Sequence, residues 1–205
     1  MSGLRLIAAA PTPGLRRARF GGDEDLDEGG LRASLALSSL VRSAKSWTTS
    51  PSRASRQTTR ALGGDTAITS AHVETALADP VFGTWTGRTL DQIDPAVLRT
   101  WLSDPDFRDH GGESLAQAGA RAATWLSTMT EAPPTTTAPA GATRTGGDGI
   151  VVAHPLIIRA LLTAALGLPP AGYQILDVAP LSITRLTHRS GRWRLHFPTP
   201  VPSPW

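Results

Sequence analysis

Cysteine is absent from all 205 residues, which excludes disulfides, thiolate nucleophiles and cysteine-ligated metals. Lysine is almost absent as well, with Lys45 alone against nineteen arginines. Arginine suits a bidentate grip on phosphate or carboxylate. Here the arginines are scattered, so the formal net charge of +3 reads as coding bias in an Ala- and Arg-rich sequence and leaves no nucleic-acid footprint. No run of about 18 apolar residues exists to cross a bilayer. The apolar stretch near the start, about six residues, is too short for a signal-peptide core. A cytoplasmic chain with neither membrane nor nucleic-acid partner is expected. What remains is ordinary for a soluble globular protein: 40% hydrophobic and 18% charged residues, enough for one substantial domain over 1–205.

The chain is organised around LRLIAAAPTPGLRRARFGG, residues 4–22. Leu4 to Ala8 is a short apolar run that reads as a buried strand, and Ala10-Pro11-Thr12-Pro13 breaks it into a loop. The end of a first strand in an α/β domain is where ligands are met. Leu31, Leu35, Leu37, Leu40 and Val41 recur at near-helical spacing and predict a helix over 30–41 packed on a sheet through those residues, with Asp27 and Glu28 favourably near its start. Ser46 to Thr49 reads as a strand. Ser50-Pro51 then reads as cap and first residue of a helix that stops at Gly63-Gly64. The segment 66–77 reads as loop and strand, and Trp85, between glycines, as a packing residue.

Further on, 94–103 reads as a helix with Val97, Leu98, Trp101 and Leu102 on one side. Glu113, read as a cap, and Ser114 open a long helix whose buried face is Leu115, Ala118, Ala122, Trp125, Leu126 and Met129. The stretch 131–149, rich in Pro, Thr, Ala and Gly, has no hydrophobic set to bury and reads as a mobile surface loop. Ile150 to Ala153 is a central-type strand that delivers His154 to the start of a helix over 156–166. A hairpin over 182–197 turns at Arg189-Ser190-Gly191. Its histidines, His188 and His196, share no metal-ligand spacing with the others. The four prolines of 198–205 make an extended tail.

Several of these segments resemble the histidine phosphatase superfamily, also called phosphoglycerate mutase-like. Residues 19–30, RFGGDEDLDEGG, follow the family's "RFQGDEPLTERG". Residues 50–58 follow its Ser-Pro-x-x-Arg-Ala-x-x-Thr, residues 79–87 its Glu-x-x-Phe-Gly-x-Trp-Glu-Gly, residues 112–114 its Gly-Glu-Ser, and VVAHPLIIRAL its "VVSHGGVIRAL". The resemblance implies a three-layer α/β/α fold, with a mostly parallel central sheet, an antiparallel edge and a pocket at the strands' C-terminal ends. It also implies the family's site, in which two histidines and two arginines surround a phosphoryl group, one histidine is phosphorylated, and an acid protonates the leaving oxygen.

In that register the family's opening Arg-His-Gly falls on Ala8, Ala9 and Ala10, and its second arginine falls on Ala54. An alanine methyl has no lone pair to attack phosphorus and no hydrogen to donate to a phosphate oxygen. His154 keeps the second histidine, and Asp79 stands one methylene short of the acidic glutamate. The candidate catalytic residues of this degenerate site are therefore His154 and Asp79, and the candidate ligand-binding residues are Thr12, Arg19, Arg53 and His154. No metal or cofactor is expected.

The expectation is a family member without phosphohistidine chemistry that binds a small-molecule ligand or a protein partner. The alternative is altered chemistry with His154 and Asp79 as base and acid, on a phosphorylated or a neutral small molecule. Three alanines make the pocket more apolar, which suits a larger or neutral ligand. A substitute nucleophile, Thr12 or Ser50, is the weakest option, since neither has a base beside it in sequence.

Overall fold

The computed structural model describes residues 2–41, 44–130 and 148–197. The tail over 198–205 and most of the stretch over 131–149 lie outside the described residues. The last two residues of that stretch belong to a strand, β4, which starts at Asp148.

One six-stranded sheet carries the fold, made of β1 (Ser2–Ala8), β2 (Ser46–Thr49), β3 (His72–Val73), β4 (Asp148–Ala153), β5 (Ile183–Arg189) and β6 (Arg192–His196). The strand order is β3-β2-β4-β1-β5-β6. The first four run parallel, with Leu6 opposite Val151 and Thr48 opposite Val151 on its other side. β5 and β6 close the β1 side antiparallel as a hairpin. The fold is therefore α/β, with a mostly parallel sheet and an antiparallel edge, as expected.

Among the described residues the α-helices are α1 (Pro13–Arg16), α2 (Glu28–Leu37), α3 (Arg53–Ser70), α4 (Pro95–Ser103), α5 (Leu115–Thr128) and α6 (Pro155–Ala165). Successive side chains of a strand point to opposite faces, and β1 divides accordingly. Leu4, Leu6 and Ala8 enter a core with Leu115, Ala118, Ala122 and Trp125 of α5 and with Ile157, Ile158 and Leu161 of α6. Ile7 and Ala9 enter another, with Trp47 of β2 and with Leu62 and Ala67 of α3. Two helical layers thus sandwich the sheet.

Three sequence expectations change. α2 starts earlier than expected and buries Gly30 and Ser34, while Leu31, Leu35 and Leu40 are exposed and the expected Leu37 and Val41 pack in the core shared with α3. Gly30 is the pivot. A Cβ there would sit 2.7 Å from the Pro11 carbonyl oxygen, so the small residue sets the contact, and Leu31, Leu35 and Leu40 fall outward. α3 begins at Arg53 because the Ser50 amide still donates to the Val152 carbonyl at 2.8 Å, prolonging the sheet. Gly64, at φ 74° and ψ −173°, is non-helical and breaks α3 at the expected Gly63-Gly64 stop, but a second helical stretch follows to Ser70, so part of the expected loop is helical. Glycine takes that conformation at little steric cost.

Below the sheet's C-terminal ends, Phe20, Phe82, Trp85 and Trp101 form an aromatic cluster with centroids 5.0 to 6.3 Å apart. Trp85 is buried in it, a packing residue as expected. Among the described residues no helix is long and apolar enough to cross a membrane.

Candidate functional site

The C-terminal ends of β1, β2 and β4 open into a cavity of about 360 Å³, a volume in the range of small-molecule sites. Its floor is backbone and methyl groups. The Ala9 amide donates to the Ala153 carbonyl at 2.8 Å, and the Ala10 amide donates to Thr58 Oγ1 at 3.0 Å. Thr58 in turn donates to the Ala54 carbonyl at 2.7 Å, which ties the loop after β1 to the first turns of α3. Ala9, Ala10 and Ala54 line the cavity, whereas Ala8, fully buried, points into the α5 and α6 core.

Six ionisable residues line the wall: Arg19, Asp23, Glu24, Asp79, His154 and Arg159. His154 caps α6, its Nδ1 accepting from the Leu156 amide at 3.1 Å. An Nδ1 that accepts from an amide cannot carry the proton, so in the neutral ring Nε2 is the N–H. Burial holds the His154 pKa below the ordinary histidine value; the charge of Asp79 works against this and that of Arg159 with it. The neutral ring thus carries its proton on Nε2. Asp79 accepts from Ser50 Oγ at 3.4 Å, and Ser50 itself is fully buried. A buried hydroxyl has no path to a substrate, which argues against Ser50 as nucleophile.

The remaining candidates separate. Thr12 lines the cavity, but its Oγ1 accepts from the Leu15 amide at 3.1 Å as the cap of α1. Arg19 also lines it and pairs with Glu24 at 3.1 Å. Arg53 does not. Its guanidinium donates to Asp25 at 2.6 Å on the exposed surface, and the residue is absent from the cavity wall. One residue along a helix turns a side chain by about 100°, so Arg53 cannot take the direction of Ala54. Glu113 is a bridge, neither cap nor acid. Both its oxygens accept from Arg121, at 2.7 and 2.9 Å, and Ser114 caps α5 instead.

Sequence reasoning passed over Arg159, on α6 five residues after His154. It lay in the quoted VVAHPLIIRAL, and its one helical turn and a bit from the histidine was the available signal. Also passed over was the apolar side of the cavity, to which α4 contributes Leu98, Trp101 and Leu102. Among the described residues no group of three His, Asp or Glu side chains is placed to hold a metal ion.

No curated protein matches the chain. Among solved structures, a mycobacterial glucosyl-3-phosphoglycerate phosphatase in complex with VO3 is 27% identical, with a TM-score of 0.79 over 96% of this chain and 98% of its own. A second, mycobacterial hydrolase 1, is 29% identical with a TM-score of 0.80, over 96% of this chain and 97% of its own. A mutant phosphoserine phosphatase from Entamoeba histolytica in complex with phosphoserine shares the fold at 21% identity and a TM-score of 0.79, over 95% of each chain. The family model of the histidine phosphatase superfamily (branch 1) matches residues 11–199. That match runs from the loop after β1 through the closing hairpin, and the chain belongs to the histidine phosphatase superfamily.

Proposed function

We propose that this chain is a ligand-binding member of its family without phosphohistidine chemistry. One observation carries the reading: residue 9, on the cavity floor where β1 ends, is alanine. In the family register this is the place of the nucleophilic histidine. The neighbouring arginine positions are alanine too, Ala8 buried in the core and Ala54 on the cavity wall. Arg53, engaged with Asp25, does not stand in for the second of them. Loss of a covalent nucleophile removes orders of magnitude in rate, and each lost charged contact to phosphate removes about 1.5–3 kcal/mol more, without strict additivity. A pocket of this volume, open at the strand ends, still binds a ligand.

A second reading has one observation in its favour. His154 and Asp79 line the same cavity, and the Asp79 charge is felt at His154. In that reading Asp79 moves a proton and the neutral His154 holds an oxygen through Nε2–H.

One set of assays separates the two. Binding alone predicts no turnover of p-nitrophenyl phosphate or phosphoglycerates, and no phosphoryl adduct in the intact mass after incubation with either. Turnover abolished by His154→Ala or Asp79→Asn, with no adduct, selects the second reading. An adduct would refute both.

A further inference from the structure

Arg159 presents a charge that the fold does not balance. It stands on α6 in the cavity wall with only 20% of its side chain exposed, and its described acidic partner, Asp177, lies 3.8 Å away and is fully exposed. Among the described residues its buried Nε has no hydrogen-bond partner, a feature it shares with Arg19. The Tyr173 ring, 5.2 Å from the guanidinium carbon, is neutral: burial pushes its hydroxyl pKa well up, and that hydroxyl donates to the Leu156 carbonyl. A ring face compensates a desolvated cation only weakly. Arg19, the other cavity arginine, differs, because Glu24 answers it at 3.1 Å from inside the same wall.

A partly buried cation without a close anion is normally paired by something. The cavity wall it shares with His154 and Asp79 also carries the apolar Leu156 and Val178, with Leu98 and Leu102 contributed by α4. We infer that Arg159 is the anchor for an anionic amphiphile, a ligand with one carboxylate, sulfonate or phosphate and an apolar body, and that its anionic end sits at α6 and not at the alanine floor of β1. This rests on the proposed binding role of the cavity and replaces the neutral ligand that the alanines alone suggested.

The probe for the test is 1-anilinonaphthalene-8-sulfonate, titrated by fluorescence, with the uncharged N-phenyl-1-naphthylamine as its control. Expected is saturable one-to-one binding of the sulfonate, weakened about 10-fold or more by Arg159→Gln. Arg19→Gln made together with Glu24→Gln, which leaves no bare carboxylate in the wall, should change it less than about 3-fold, and the neutral probe should be indifferent to both variants. Decanoate and decyl phosphate should each displace the sulfonate, while inorganic phosphate at equal concentration should not.

Equal losses in the two arginine variants would overturn the assignment, since they would indicate only a diffuse positive potential. So would displacement by inorganic phosphate as strong as by decanoate. Should Arg159→Gln fail to fold, Arg159→Met carries the test: an apolar stem of similar length without the charge should weaken sulfonate binding about 10-fold or more and leave the neutral probe unaffected. Turnover of phosphomonoesters would sink the non-catalytic role and leave the Arg159 result standing. Indifference of the sulfonate to position 159 would do the reverse.

Discussion

At the scale of single residues, two histidines whose pKa is lowered by burial predict a loss of stability in mild acid. His110 is fully buried against Trp85, Phe107 and Phe82, with ring centroids 5.1 to 5.9 Å apart. Its Nδ1 accepts from the Gly112 amide at 3.0 Å, and its buried Nε2 has no partner. Desolvation lowers its pKa from 6.5; the Asp109 charge opposes this and the Arg108 charge adds to it. His154 is lowered by burial from the same 6.5. A group whose folded pKa lies below its unfolded one takes up protons on unfolding, so its stabilisation is present above pH 6.5 and is lost as the pH falls below it. Thermal melting should therefore drop between pH 7 and pH 5. His110→Phe removes one of the two titrations, and His154→Asn removes the other while keeping an acceptor for the α6 cap. The double variant should show a visibly flatter melting profile over that window, and an unchanged slope would refute the assignment. At pH 8, His110→Phe should stay within about 1 kcal/mol of the parent, because it loses the Gly112 acceptor but also removes the unpartnered Nε2–H.

At the scale of elements, the segment that presents Asp79 is held by α5. Arg121 donates to the carbonyls of Ala76 and Ala78, both at 2.6 Å, and to both oxygens of Glu113. One guanidinium thus fixes the backbone immediately before Asp79 and the chain entering α5. Arg121→Met strands a partly buried carboxylate and two carbonyls, a defect of about 3 kcal/mol. Denaturant unfolding should show that loss, and hydrogen exchange should rise first over 76–82. Arg121→Met/Glu113→Leu should recover part of it, which a purely steric role would not allow. This bridge was illegible in the sequence, since residues 76, 113 and 121 meet only through tertiary contact. By contrast, the buried face of α5 was readable from the spacing of Leu115, Ala118, Ala122, Trp125 and Leu126, all buried. The same logic held only in part at α2. There periodicity named Leu37 and Val41, which pack in the core, but also Leu31, Leu35 and Leu40, which lie in solvent because Gly30 packs closely against the Pro11 carbonyl. Apolar spacing finds a helix's core face only where side-chain volume, and not close backbone approach, decides the packing.

At the scale of the whole molecule, the sheet and the cavity's place in it were legible. The apolar runs marked single strands, and the mostly parallel order, the antiparallel edge and the pocket at the strand ends came with the family resemblance. The cavity's charge balance was not, since it depends on which arginines find acids: Arg19 finds Glu24 and Arg53 finds Asp25, while Arg159 finds only a distant one. The split of β1 between two cores also bears on whether the family's chemistry can be restored. Ala9 packs with Ile7 in the core on the α3 side but also lines the cavity, so Ala9→His should fold with its ring turned into that cavity and lower the melting temperature less than Ala8→Arg does. It should nevertheless acquire no phosphoryl adduct from p-nitrophenyl phosphate, because a nucleophile without cations around the phosphoryl oxygens gains little. Ala8 is fully buried among Leu4, Leu6 and Phe20. Ala8→Arg added to Ala9→His must therefore displace packed side chains, and should lower stability by about 1–3 kcal/mol or more. If Ala9→His alone yields the adduct, the cavity holds phosphate by groups other than the family's arginines. Arg159→Gln in that background then shows whether the anchor on α6 supplies them.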